Sequence, residues 1–200
     1  MKKRIVCLCL ALLVTMLLVG CLRMEIKVKV NEDGKTADVR TMVAMSDELT
    51  AMADSESEDF TAEEIAELNA KGYTYEQYKD AEAGFTGYIL DRAGVPLQEV
   101  NLSDMETGMD GQSDASIITV NGNHAEIRFV PITEKNFKDA GTYLPMIETY
   151  GGYLRFVLEL PTAPTDHNAT SVSEDGKTLT WNLTTLSPDE EIFATFDLPA

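Results

Sequence analysis

Residues 24–45 read MEIKVKVNEDGKTADVRTMVAM. Met24, Ile26, Val28 and Val30 alternate with Glu25, Lys27 and Lys29, a period of two that gives a strand one buried and one wet face. Asn31-Glu32-Asp33-Gly34 follows as a turn, because Asp-Gly readily takes positive φ. Thr36 to Met45 then returns as a second strand, with Ala37, Val39, Thr41, Val43 and Met45 on one face. A β-hairpin therefore opens the folded part of the chain, and everything else has to pack on it.

Downstream, residues 46–67 carry nine acids and no base. Ser46-Asp47-Glu48 reads as a helix start, with acids near the positive end of the helix dipole. Thr61-Ala-Glu-Glu64 fits a capping box, Ile65 and Leu68 form a narrow apolar stripe, and Gly72 suits a helix end. Thr74 is read as the cap of a third short helix reaching Ala83, with Tyr75 and Tyr78 inward. Residues 46–84 are thus expected to be a helical excursion with an acidic outer face.

The remainder reads mainly as strands: Phe85 to Leu90 and Leu97 to Leu102 separated by Gly94-Val95-Pro96, then Ser116 to Val120 and His124 to Ile132 around Asn121-Gly122-Asn123. Short helices are expected near Glu134 to Ala140 and Tyr143 to Tyr150. Leu154, Phe156, Leu158 and Leu160 give another strand, ended by Pro161-Thr-Ala-Pro164. Glu174-Asp175-Gly176 turns into Thr178 to Leu183, and Ile192 to Phe196 closes the chain. The expected fold is α+β, a largely antiparallel sheet with packed helices, forming a single domain over residues 21–200.

Upstream of the hairpin, Lys2, Lys3 and Arg4 precede an apolar run from Ile5 to Val19. That is the layout of a secretory signal peptide, and the run is shorter than the ~20 residues needed to cross a bilayer. Leu18-Val19-Gly20-Cys21 resembles the lipobox of bacterial lipoproteins, which implies a diacylglyceryl thioether on Cys21 and cleavage just before it, with residues 1–20 as the signal helix. Two acyl chains anchor a protein stably where one holds it only marginally. The competing reading is an ordinary signal with an incidental cysteine near its end. The expected location is the extracytoplasmic face of the cell membrane.

Cys7 and Cys9 lie within the signal, so the mature domain would have neither a free thiol nor a disulfide. Removing residues 1–20 takes away three bases and no acids, leaving 13 Lys and Arg against 34 Asp and Glu, and moves the formal charge from −18 to −21. Such a surface repels nucleic acid, whose binding is driven by counterion release to Lys and Arg. It also argues against docking on anionic headgroups through a polybasic face.

Chemistry-bearing motifs are sparse. His124 opens a strand and His167 sits in the loop PTAPTDHNATS; neither has a metal-binding spacing, and no nucleophile elbow or phosphate-binding glycine loop is present. Asp166-His167 offers a base next to a candidate orienter. Asp104, Glu106, Asp110 and Asp114 share a two-glycine loop, but their order does not match an EF-hand, and a solvated loop is the simpler reading. Phe129, Ile127, Phe156, Leu158, Trp181, Phe193 and Phe196 could line a lipid cavity or simply fill a sheet core. Asn101, Asn168 and Asn182 each begin a glycosylation-type triplet, taken as chance in an exported bacterial protein.

The stretch GCLRMEIKVKVNEDGKTADVRTMVAMSDEL, residues 20–49, is similar to the start of the LppM-type bacterial lipoproteins. There a lipobox Cys is followed by Arg, an alternating strand, an Asp-Gly turn, a second strand and a Ser-Asp-Glu helix start. EDGKTLTWNL, residues 174–183, resembles the same family's closing turn and Trp-bearing strand. The resemblance implies a membrane-tethered, envelope-exposed α+β domain linked to binding lipids or glycolipids, with no catalytic residues carried over. The very acidic 46–67 segment and the lack of an apolar span near the C-terminus depart from that pattern.

Two functional expectations follow. One is a non-enzymatic lipoprotein without cofactor or metal, whose sheet and helices flank an apolar groove for an envelope lipid or glycolipid. The other is an adaptor offering its acidic helical surface, including Glu56, Glu58, Asp59 and Glu63, to a basic protein. Hydrolysis of an envelope substrate is a third, held open because catalytic groups converge from distant positions.

Overall fold

The structure is a computed structural model and describes residues 22–52, 60–102, 116–133, 140–149 and 151–199. The signal segment, the lipobox with Leu18, Val19, Gly20 and Cys21, the acidic residues Glu56, Glu58 and Asp59, the 104–114 loop and residues 134–139 lie outside the described residues.

The opening hairpin forms as the alternation dictates. β1 (Leu22–Val30) pairs antiparallel with β2 (Thr36–Ser46), Val28 opposite Val39 and Val30 opposite Ala37. The turn is tied by the Asp33 carboxylate, which accepts from the backbone N–H groups of Lys35 and Thr36 at 2.8 and 3.0 Å, with Gly34 at φ +62°. β2 leads into α1 (Asp47–Met52); α2 (Ala62–Ala70) follows, then β3 (Thr74–Asp80) and β4 (Phe85–Pro96). Next come β5 (Ile118–Asn121), β6 (His124–Phe129), α3 (Ala140–Thr149) and β7 (Tyr153–Glu159). The chain ends with β8 (Asp166–His167), β9 (Ser171–Val172), β10 (Thr178–Asn182) and β11 (Ile192–Asp197).

Two sheets result. The larger has the order β3-β4-β2-β1-β7-β10-β9, and the smaller β5-β6-β11-β8. The described pairings are antiparallel except the central one, where β1 and β7 run parallel with Ile26 beside Phe156. The inner face of the large sheet packs on the small sheet, joining Ile26, Val28, Phe156, Leu158, Leu179 and Trp181 to Ile127, Ile192, Ala194 and Phe196 in one core. α3 adds Leu144 and Ile147 to that core. At the β3–β4 margin the inner face is covered instead by α2, through Leu68 with Tyr73 and Leu90. The capping box of α2 forms: Thr61 Oγ1 accepts from Glu64 N, and the Glu64 carboxylate accepts from Thr61 N at 2.7 Å.

Three expectations are corrected. The third helix, over 74–83, is the edge strand β3. In a strand, residues three apart face opposite sides, so Tyr75 joins Phe60 and Leu90 on the inner face while Tyr78 joins Phe85 on the outer one; a helix would leave one ring without that partner. The Gly94-Val95-Pro96 break is absent: β4 continues to Pro96, because a register shift between Ala37 and Val39 takes up Gly94 (φ +67°), and Val95 stays buried opposite Ala37. Leu97–Glu99 is a 3₁₀ turn rather than the start of a strand. At the sheet's end Met45 is 44 % exposed, and Met42 and Ala44 are buried on the outer face.

Candidate ligand-binding face

Register turns the polar positions of the large sheet into rows. Arg23 lies between Ala44 on β2 and Tyr153 on β7; Glu25 between Met42 and Arg155; Lys27 between Arg40 and Val157; Lys29 between Asp38 and Glu159. β4 and β3 extend the first rows with Phe85, Gly87, Ile89, Tyr78 and Glu76. Gly87 is required where β4 crosses β2, since a Cβ there would stand 2.0 Å from the Val43 carbonyl oxygen. Among the described residues, neither sheet nor helix covers this outer face. It carries Arg23, Lys27, Lys29, Arg40 and Arg155, five of the 13 cations after residue 20, interleaved with carboxylates.

At the end where β1 starts, the face is aromatic and cationic. The Arg23 guanidinium lies 3.8 Å over the Phe85 ring and 5.7 Å from that of Tyr153, donates to Asp80 at 2.8 Å, and reaches the Gly151 carbonyl at 3.2 Å. Burial opposes the Arg23 charge, but hydrogen bonds with Asp80 and Tyr78 outweigh it and hold the guanidinium pKa above its ordinary value. Arg155 stacks over Tyr153 at 4.1 Å, so that ring has two guanidiniums within about 6 Å of its centre. Burial, then the Glu25 carboxylate, push the Tyr153 phenol up. Beneath lie Met42 and Ala44, closed by Tyr78, Phe85 and Ile89.

Farther along the strands the face becomes a cleft of about 280 Å³ between Lys27, Lys29, Arg40 and Arg92, with Asp38 and Asp91 on its walls. Arg40 is bidentate to Asp91 at 2.7 and 2.9 Å. Lys27 and Lys29 share Glu159 at 2.6 and 3.5 Å, and the Lys27 hydrogen bond leads in holding that carboxyl below its ordinary pKa. These pairs are part-exposed, so each is worth little and an incoming anion can exchange for a carboxylate at modest cost. A larger hollow, about 700 Å³, lies at the far end between the β1–β2 turn, Leu97, Val120 and Leu198.

The interior offers no such chemistry. Phe129, Phe156 and Trp181 pack ring to ring at 4.9 and 5.6 Å; Phe156, Leu158, Ile127, Trp181 and Phe196 are fully buried, and Phe193 lies beneath Arg128 at the surface. The apolar set is a sheet core. The Asp166 carboxylate accepts from the backbone N–H of His167, not from its ring, and His167 Nδ1 accepts from Ala169 N at 3.1 Å, so the pair is not arranged as base and orienter. His124 pairs with Asp197 at 2.9 Å on the surface. Among the described residues, no group of three or more His, Cys, Asp or Glu could hold a metal ion. Two of the glycosylation-type asparagines are structural: Asn168 bonds Trp181 and Phe193, and Asn182 caps a 3₁₀ turn and donates to Glu148.

The sequence marked none of the outer-face cluster as a site. Arg23, Phe85, Tyr153 and Arg155 come from three strands, and only the β1–β7 parallel pairing and the β2–β4 register bring them together.

No curated protein matches the chain. The fold is similar to the NMR structure of the folded domain of LppM from Mycobacterium tuberculosis, with a TM-score of 0.56 over 90 % of this chain and 91 % of that one, at 13 % sequence identity. So distant a likeness speaks for the architecture alone. Residues 23–197, which span both sheets from β1 to β11, match the LppM domain, and the chain therefore belongs to the LppM domain family.

Proposed function

We propose that this protein is a non-enzymatic lipoprotein, held by a diacylated Cys21 on the extracytoplasmic face of the cell membrane, that binds an envelope lipid or glycolipid on the outer face of its large sheet. The anchor reading rests on the basic, apolar and lipobox segments that precede β1 in order. The observation that carries the ligand reading is the Arg155–Tyr153–Arg23–Phe85 stack next to the Lys27–Arg40 cleft. Once residues 1–20 are removed the formal charge is −21, and on this face cations and carboxylates come close to balance, so it repels an anionic headgroup little. Guanidiniums suit a phosphate or carboxylate, and an aromatic ring suits the C–H face of a sugar. The core is filled by its own rings, so the acyl chains of the ligand stay in the membrane and only its head is bound.

The test is native mass spectrometry of the full chain purified from its own host in mild detergent. Wild type is expected to carry a lipid adduct that Arg155→Ala and Tyr153→Ala each reduce at least several-fold. A bare wild-type mass would overturn the ligand reading. Salt-sensitive capture of a basic protein instead, abolished by neutralising Glu63 together with Glu56, Glu58 and Asp59, would put the adaptor reading in its place. On Cys21 the matching experiment is labelling with a clickable fatty acid, which Cys21→Ser is expected to abolish along with membrane retention.

A further inference from the structure

We infer that the domain is held without a linker, so that the end of the large sheet where β1 begins is pressed against the bilayer surface and that surface is the partner of its exposed apolar rim. The inference rests on the proposed lipidation of Cys21. β1 begins at Leu22, the very next residue, and Leu22 is already locked opposite Met45 in the sheet. Consecutive Cα atoms are about 3.8 Å apart, so a lipidated Cys21 leaves the strand no freedom to rise, whereas a flexible linker of ten residues would let the domain wander over roughly 16–19 Å.

The rim is suited to that position. Met45 is one of two large hydrophobic side chains exposed among the described residues, and it flanks the half-buried Leu22. One row in, Arg23 and Tyr153 supply the guanidinium and aromatic ring that favour the headgroup zone. Around them stand Asp47, Glu48, Asp80 and Glu82; Asp80 is spent on Arg23 and Asp47 accepts from Thr86 at 2.7 Å. With so many acids at this end, charge attraction does not hold the contact; the short tether does, and the apolar rim only lowers the cost of approach. At about 3.3 Å per residue, Lys27 and its cleft stand roughly 20 Å above Cys21, so a compact headgroup reaches the Arg23–Tyr153 row while only an extended one reaches the cleft.

The mature chain has no cysteine other than Cys21, whose sulfur is taken up in the thioether, so introduced cysteines are unique reporters. Lipidated full-length protein carrying Met45→Cys, Ala83→Cys or Lys35→Cys is labelled with an environment-sensitive fluorophore and placed in phosphatidylcholine vesicles containing brominated lipid. Ala83 lies in the exposed β3–β4 turn at the same end and reports without touching the packing of Met45; Lys35 lies in the β1–β2 turn at the opposite end. Labels at 45 and 83 are expected to be quenched at least three-fold more than the label at 35, and a ten-residue Gly-Ser insertion after Cys21 is expected to erase the difference. Equal quenching at all three positions in protein that pellets with the vesicles, or a difference that survives the insertion, overturns the inference and leaves the anchor reading intact. Protein whose mass lacks a diacylglyceryl group and which does not pellet overturns the anchor reading, and the inference with it.

Discussion

Asn168→Ala should be among the costlier surface substitutions in this protein, although Asn168 is itself exposed. Its Oδ1 accepts from the Trp181 indole N–H at 2.9 Å and from the Phe193 backbone N–H at 3.0 Å, and its Nδ2 donates to the Glu191 carbonyl at 2.7 Å. One amide thus ties β10 of the large sheet to β11 of the small one. Trp181 is fully buried, so losing the acceptor leaves a desolvated indole N–H, worth about 1–3 kcal/mol, and each of the two remaining bonds adds about 0.5–1.5 kcal/mol. A loss of about 3 kcal/mol follows, which for a domain of this size lowers Tm by about 6–12 °C. Asn168→Asp keeps the acceptor and loses the donor, and should cost about 1 kcal/mol. Trp181 is the only tryptophan, so its fluorescence in urea titrations reports this junction directly, with circular dichroism as the global measure. If Asn168→Ala stays within about 0.5 kcal/mol of wild type, or Asn168→Asp is as damaging as Asn168→Ala, the amide does not join the sheets as argued.

Gly87→Ala would set a Cβ 2.0 Å from the Val43 carbonyl oxygen and 2.6 Å from Ala44 Cα, so β4 must shift; urea denaturation should show a loss of several kcal/mol. Gly94→Ala meets no atom within 4 Å and pays only for its positive φ, about 1 kcal/mol. The Glu148 carboxyl is held below its ordinary pKa by the Asn182 amide first and the Thr184 hydroxyl second. Its contribution is therefore present above the unfolded pKa and lost as pH falls through the folded one, so Glu148→Gln should be less stable than wild type at neutral pH, with the gap closing in acid during pH-dependent thermal melts. Thr61→Ala removes one half of the α2 capping box and should cost about 1 kcal/mol, seen as faster amide exchange in α2 before the sheets are affected.

Local patterning was sufficient wherever a segment's partner is its own neighbour. The alternation in β1, the Asp-Gly turn, the Thr61–Glu64 capping box and the alternating buried side chains Leu154, Phe156, Leu158 and Leu160 are all legible, because each is decided within a few residues of chain. So are the charge balance and the order of basic, apolar and lipobox residues before β1. What the sequence could not decide depends on which strand lies beside which. Residues 74–80 look helical until β4 offers them an edge, Gly94 looks like a break until the irregularity opposite β2 takes it up, and nothing local announces that Phe85 and Tyr78 close over Met42 and Ala44. The stack of Arg155, Tyr153, Arg23 and Phe85 has no sequence signature, since its members are far apart in the chain and meet only through a parallel crossover and an antiparallel register. Strand periodicity fixes which side of a sheet a residue faces, but its neighbours across that face are set by long-range pairing, and only the tertiary structure supplies that.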